Sequence, residues 1–240
     1  MTELRVTPVA GLPELRAGDD LGALLAAAVE LEAGDVVVIA QKAVSKCEGR
    51  VLELADVAPR PEAMEIAGAD EDPRFIEVVL REAVRIVRRR GSLLICETRH
   101  GLVCASAGVD RSNAPGADQV VLLPLDPDAS AARIRAALPD GVPVIVTDSF
   151  GRPFRQGIAG IAIGVAGMVP VDDRLGSPDD RGRPFAGTVV HVADELAAIA
   201  DHVIGPAGGV PAVRIRGARI AAGEGGAAGT VMPAERDLFR

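Results

Sequence analysis

"SLLICETRHGLVCASAG", residues 92–108, sets two short apolar runs on either side of a His100–Gly101 turn. Runs of this length, bounded by turn residues, read as strands, and so short a link makes them an antiparallel hairpin. A third run, "DQVVLLPL" (118–125), follows with no helix between. Consecutive strands of this kind break the steady strand–helix alternation of a doubly wound sheet. The expected class is therefore α+β, with mixed or antiparallel sheets and interspersed helices.

Outward from that hairpin, "LRVTPVA", "DVVVIAQK", "GRVLELADV", "VPVIVTDS" and "VPAVRIRG" read as further strands, the fourth being the strongest. "DDLGALLAAAVELEAG" and "DPDASAARIRAALPDG" carry an Asp cap, helical apolar spacing and a Gly stop. "RPEAMEIAGA", "DPRFIEVVLREAVRIVRRR" and "HVADELAAIADHVIG" complete the helices. In the second of these, Phe75, Val78, Val79, Val84 and Val87 mark an apolar face. The glycine-rich region after "VPVIVTDS" shows no clean period, and the Gly- and Ala-rich stretch 218–240 is expected to be a loose tail or linker.

The chain has 240 residues, 48% of them hydrophobic, enough for a substantial core. Five Phe with no Trp or Tyr leave no stacking platforms for bases, and a net charge of −8 opposes general nucleic-acid binding. Three cysteines, Cys47, Cys96 and Cys104, lack metal-type spacing and suit a reducing compartment. The N-terminal "MTELRVTPVAGLP" has no charged-then-apolar signal pattern. "GIAGIAIGVAGMVPV", with four glycines, is too short and broken to span a bilayer. A soluble, cytoplasmic protein is expected.

No G-x-x-x-x-G-K-[ST] occurs, and "GEGGAAG" has the wrong spacing for a dinucleotide fingerprint. Lys42 and Lys46 are the only two lysines among 26 basic side chains. Coding bias explains the ratio, while their shared segment, "IAQKAVSKCEGR", suits a site that wants a compact point charge. "SAGVDRSNAPG" (106–116) carries Asp110 and Asn113 in a Gly/Pro-bounded loop, a pattern that self-bonded turns also produce. In "VTDSFGRPFRQG" (146–157), Asp148 and Ser149 end an apolar run just before Arg152 and Arg155. One reading is a turn with arginines paired to nearby acids. The other is a hard divalent cation shared by Asp110 and Asp148, with both arginines forked onto phosphate. His100 is a candidate for substrate contact, and His191 and His202 fall on one amphipathic helix. Cys47 beside Lys46 is either a thiol of lowered pKa or a small buried one.

"PVAGLP", "GDVVVIAQKAVSKCEGR", "AGVDRSNAP", "LPLDPDASA", "VTDSFGRPFRQG", "AIGVAG" and "VADELAA" together resemble the coenzyme F-420-0:L-glutamate ligase family, the gamma-glutamyl ligases of the deazaflavin pathway. The likeness implies a ligase domain over 1–217, built of two intimately linked subdomains, in an intertwined homodimer. It implies a GTP-dependent enzyme that adds L-glutamate to coenzyme F-420-0 through an acyl phosphate. Mg2+ or Mn2+ is required, and K+ is a further cation the family allows. Gly11, Leu12, Pro13, Gln41, Lys46 and Asn113 would line the nucleotide site, Asp110 and Asp148 would hold the first metal, and Ser149 would touch a second. Lys46, Arg152 and Arg155 would then assist phosphoryl transfer. One departure stands out: Pro206 occupies a position where relatives carry an acid or amide for the second metal. Some relatives continue into a flavin-binding domain, and "AERDLFR" resembles the start of that junction. The rival functions are a non-catalytic nucleotide-binding paralogue and a metal-dependent phosphohydrolase.

Overall fold

A computed structural model describes residues 3–238; the ends of the N-terminal stretch and of "AERDLFR" lie outside them. In chain order the elements are β1 (Arg5–Pro8), α1 (Leu21–Ala28), β2 (Val36–Ala40), α2 (Gln41–Cys47), β3 (Val51–Glu53), α3 (Pro61–Ala67), α4 (Pro73–Glu82), β4 (Ala83–Arg90), β5 (Leu93–Thr98) and β6 (Val103–Ala105). There follow β7 (Gln119–Val121), α5 (Pro127–Arg135), β8 (Val144–Arg152), β9 (Arg155–Ala166), β10 (Asp172–Asp173), β11 (Val189–Val190), α6 (Val192–Ile204) and β12 (Ala212–Arg216). The class is α+β, as the consecutive strands predict.

The central sheet has the order β1-β12-β2-β8-β9, and only β2 and β8 run parallel. Its middle strands are buried on both faces, which explains their unbroken apolar runs. Val37, Ile39, Val144 and Val146 face a core shared with Leu25, Val44 and Ile134. Val36, Val38 and Ile145 face the opposite core, closed by Leu196, Ala197 and Ala200 of α6. A third core joins α3 and α4 to the hairpin through Ile66, Phe75, Val79, Leu94 and Cys96. The 92–108 stretch forms the expected hairpin, with Ile95 opposite Ala105 and Cys96 opposite Cys104. Asp20 and Asp126 cap α1 and α5 by accepting from the Ala23 and Ala129 amides.

Two elements differ from the sequence expectation. The helix expected across 72–90 stops at Glu82, and Ala83–Arg90 pairs with β5 as a strand. Phe75, Val78 and Val79 are buried as expected, whereas Val84 is 64% exposed. The hairpin edge needs hydrogen-bond partners, and a segment carrying β-branched Val84, Ile86 and Val87 supplies them at little local cost. Likewise the aperiodic region after "VPVIVTDS" is β9, twelve residues paired along its length with β8. The "VTDSFGRPFRQG" stretch is thus a β-ribbon turning at Pro153–Phe154, not a strand end followed by a loop.

The segment expected to be loose has specific anchors. The Asp128 carboxylate accepts from the amides of Val165 (2.7 Å), Ala227 (2.8 Å) and Ala228 (3.0 Å), and Val169 N–H donates to the Ala221 carbonyl. Asp128→Ala removes the acceptor from three donors at once. The expected loss is about 2–4 kcal/mol, read by calorimetry, with faster amide exchange at Val165 and in the C-terminal segment. Uniform exchange along the whole chain would contradict this role.

Candidate active site

Strand β2 passes into α2 with no intervening loop, so Gln41 and Lys42 emerge at its carboxyl end. There β2 lies beside parallel β8, with Ala40 opposite Thr147 and Asp148 next in line. The carboxyl ends of neighbouring parallel strands are where α/β sheets place ligands. Asp110 arrives from the other side, its backbone bridged to Val121.

Two cavities meet at this edge. The larger, of about 560 Å³, is lined by Leu12, Pro13, Lys42, Lys46, Asn113 and the 204–211 turn that includes Pro206. The smaller, of about 230 Å³, is lined by Gln41, Ser106, Gly108, Asp110, Asp148 and Ser149. Lys42 links the two, because its Nζ lies 2.7 Å from Asp110 Oδ2 and 2.6 Å from Ser112 Oγ.

The electrostatics of the two carboxylates diverge. Burial opposes ionisation of Asp110, but Lys42 and the Ser112 amide and hydroxyl hold its carboxyl below the usual range. Burial pushes Asp148 up to about 7, the like charges of Asp110 and Asp201 add to the rise, and the Ser149 amide and Lys42 oppose it. Asp148 retains some surface exposure yet has protein on most sides, and no ion pair is formed to it among the described residues. Gln41 is 2% exposed; its Oε1 accepts from Ser45 Oγ at 3.0 Å, while its Nε2 has no partner. An under-compensated carboxylate and an orphaned donor on one small cavity suit a cation carrying an oxyanion. Cys104 also lines this cavity, but burial pushes its thiol up to about 12, so the donors left for a cation are the oxygens of Asp110, Asp148 and Ser149, the set preferred by Mg2+ and Mn2+. Among the described residues, no three His, Cys, Asp or Glu side chains gather into a ready metal cage.

The other expected residues fall into three groups. Leu12, Pro13, Lys46 and Asn113 line the larger cavity, where Lys46 pairs with Glu14 at 2.9 Å and Asn113 donates to the Pro206 carbonyl at 3.3 Å. Gln41 opens on the smaller cavity instead, and Gly11, at φ 80, lines neither. Arg152 and Arg155 face each other across the exposed hairpin tip, outside both cavities and without ion pairs among the described residues. His100 Nε2 lies 3.0 Å from the Pro124 carbonyl, and His191 caps α6 by accepting the Asp194 amide at Nδ1. Burial pushes the Cys47 thiol up to about 11, so the reading of a lowered pKa fails. Two residues at the site went unassigned in the sequence: Lys42, marked only by the scarcity of lysine, and Asp201, which has no local signature at all.

Residues 11–217 match the family described as F420-0:Gamma-glutamyl ligase. The chain is 43% identical to the coenzyme F420:L-glutamate ligase of Methanothermobacter thermautotrophicus, with 97% of each chain covered. It is 47% identical to the enzyme of that name from Methanopyrus kandleri, over 89% of this chain and 87% of the relative. For Methanocaldococcus jannaschii the identity is 42%, over 99% and 98%.

Proposed function

The chain belongs to the F420-0:gamma-glutamyl ligase family, and from that premise we propose that it joins L-glutamate to coenzyme F420-0, using GTP as phosphoryl donor. One observation carries the reading beyond family membership: Asp110 and Asp148, distant in sequence, open on one small cavity beside a larger one that bears both lysines.

A free carboxylate is a poor acyl donor. Transfer of the γ-phosphoryl group to the acceptor's carboxylate oxygen releases GDP and makes an acyl phosphate. The glutamate nitrogen then attacks the acyl carbon, the amide bond forms as the carbon–oxygen bond to phosphate breaks, and the amine gives up its proton. The larger cavity is of a size that suits a nucleotide, and Asn113 and Lys46 supply a neutral donor and a positive charge within it. Lys42, at the junction, brings positive charge to the phosphoryl group without leaving the Asp110 side. Gln41 Nε2 is a donor preset for an oxyanion in the smaller cavity. Asp110 and Asp148, with Ser149, would hold Mg2+ or Mn2+, which neutralises charge on the transferred phosphoryl group when bound.

The distant Arg152 and Arg155 act on a phosphate only if the hairpin tip meets another subunit. An intertwined homodimer would allow that, and Ile158 on the same arm is 64% exposed. No helix among the described residues is long and apolar enough to cross a membrane.

Incubating the protein with GTP, Mg2+, L-glutamate and F420-0 should give a product heavier by glutamate residues, together with GDP and phosphate, seen by mass spectrometry. Omitting F420-0 should suppress phosphate release. A nucleotide-binding protein would give no product, and a phosphohydrolase would release phosphate without acceptor; either result would refute the ligase assignment.

A further inference from the structure

Helix α6 approaches β9 closely at one point, and a glycine makes room for it. A Cβ at Gly160 would lie 2.6 Å from Asp201 Cβ and 2.7 Å from the Ala197 carbonyl oxygen. Gly160 is also the residue paired across the ladder with Ser149. The bare backbone at 160 thus lets Asp201 reach over β9 to the edge of the site, where it accepts the Ser149 hydroxyl proton at 2.8 Å. Asp201 is close enough to Asp148 for its charge to be felt there. In a chain rich in arginine, no ion pair to Asp201 is formed among the described residues, and its one side-chain partner is this neutral hydroxyl.

A serine hydroxyl has one proton and two lone pairs. With the proton directed to Asp201, the lone pairs of Ser149 Oγ are free for the cavity that Ser149 lines with Asp110 and Asp148. A carboxylate behind a ligand also raises that ligand's basicity and fixes its orientation. The orphaned Gln41 Nε2 on the same cavity is an independent sign that a ligand with oxyanion character belongs there.

We propose that Asp201 is a positioning residue for the divalent-cation site, orienting Ser149 Oγ as a neutral cation ligand by accepting the hydrogen bond its hydroxyl donates. The inference rests on the cation reading of Asp110 and Asp148 given above. It also bears on Pro206, whose side chain has no ligand to offer: the carboxylate that supports the site comes from the last turn of α6, before Pro206, and acts through Ser149.

The test is Mn2+ binding alone to the full chain, without nucleotide or turnover, followed by the electron paramagnetic resonance of the free ion. Asp201→Asn should weaken Mn2+ binding about 10- to 100-fold, the range typical for loss of a partner behind a metal ligand. Ser149→Ala should weaken it by a similar factor. Combining the two should cost little more than Ser149→Ala alone, because Asp201 acts mainly through that hydroxyl and its charge at Asp148 is the smaller effect. Affinity within twofold of the parent for Asp201→Asn overturns the proposal, and so do independent, multiplying effects in the double variant. If Asp148→Asn abolishes Mn2+ binding while Asp201→Asn does not, the positioning role fails and the cation site stands. If neither variant weakens binding, the cation site itself is wrong and the inference falls with it.

Discussion

Asp148→Asn is expected to reduce ligation by about 10²–10⁴-fold while leaving the fold intact. The carboxamide keeps the shape of the side chain and removes the charge, so whatever Asp148 does for a cation or a phosphoryl group is lost selectively. The effect on stability has the opposite sign. Burial raises the folded-state carboxyl to about 7, above its value in the unfolded chain. Between those two values the native state binds more protons than the unfolded one, so this residue's contribution to stability falls as pH rises through that window. Asparagine carries no such penalty, and above pH 7 the variant should unfold no earlier than the parent. Product mass spectrometry and calorimetry at pH 8 read the two halves separately. Near-normal turnover at saturating Mg2+ would remove Asp148 from the mechanism, and a large loss of melting temperature would assign it a structural role instead.

Gly164→Ala should be among the most destabilising single-methyl additions in the protein. Gly164 sits in β9 opposite Val146, and a Cβ there would overlap the Pro127 carbonyl oxygen at the first turn of α5. The obstacle is backbone at a helix start, and that start is tied to β9 by Asp128 accepting the Val165 amide. Neither side can move without loosening the other, and the expected cost is about 3 kcal/mol. For a chain of this size that corresponds to a melting temperature lower by roughly 10 °C. Gly151, in the partner strand, has nothing within 4 Å of its hypothetical Cβ and no left-handed backbone, so Gly151→Ala should be nearly neutral. Equal melting temperatures for the two variants would disprove close packing of α5 on β9.

The second prediction depends on β9, the element least legible in the sequence. Its glycines read as loop residues because glycine weakens strands in isolation. Their purpose appears only with the helices in place: Gly160 admits α6 and Gly164 admits α5. The same holds for β4, whose arginines and valines fit a helix face as well as an edge strand until β5 presents unpaired backbone groups. Arg152 and Arg155 follow Asp148 so closely in the chain that a common site looks natural. The strand carries them along a ribbon and away from it, at about 3.3 Å per residue.

What the residues determined alone is local: the hairpin at 92–108, the doubly buried runs of β2 and β8, the Asp caps, and motifs specific enough to carry a family resemblance. These are matters of period, propensity and side-chain chemistry within a few positions of each other. Only the tertiary structure decided that Asp110 and Asp148 open on one cavity, that Lys42 ties the larger cavity to Asp110 while adjacent Gln41 opens on the smaller, and that Asp201 reaches Ser149 past a glycine. Each of those depends on how closely separate elements approach, a distance set by packing and not written in any one segment.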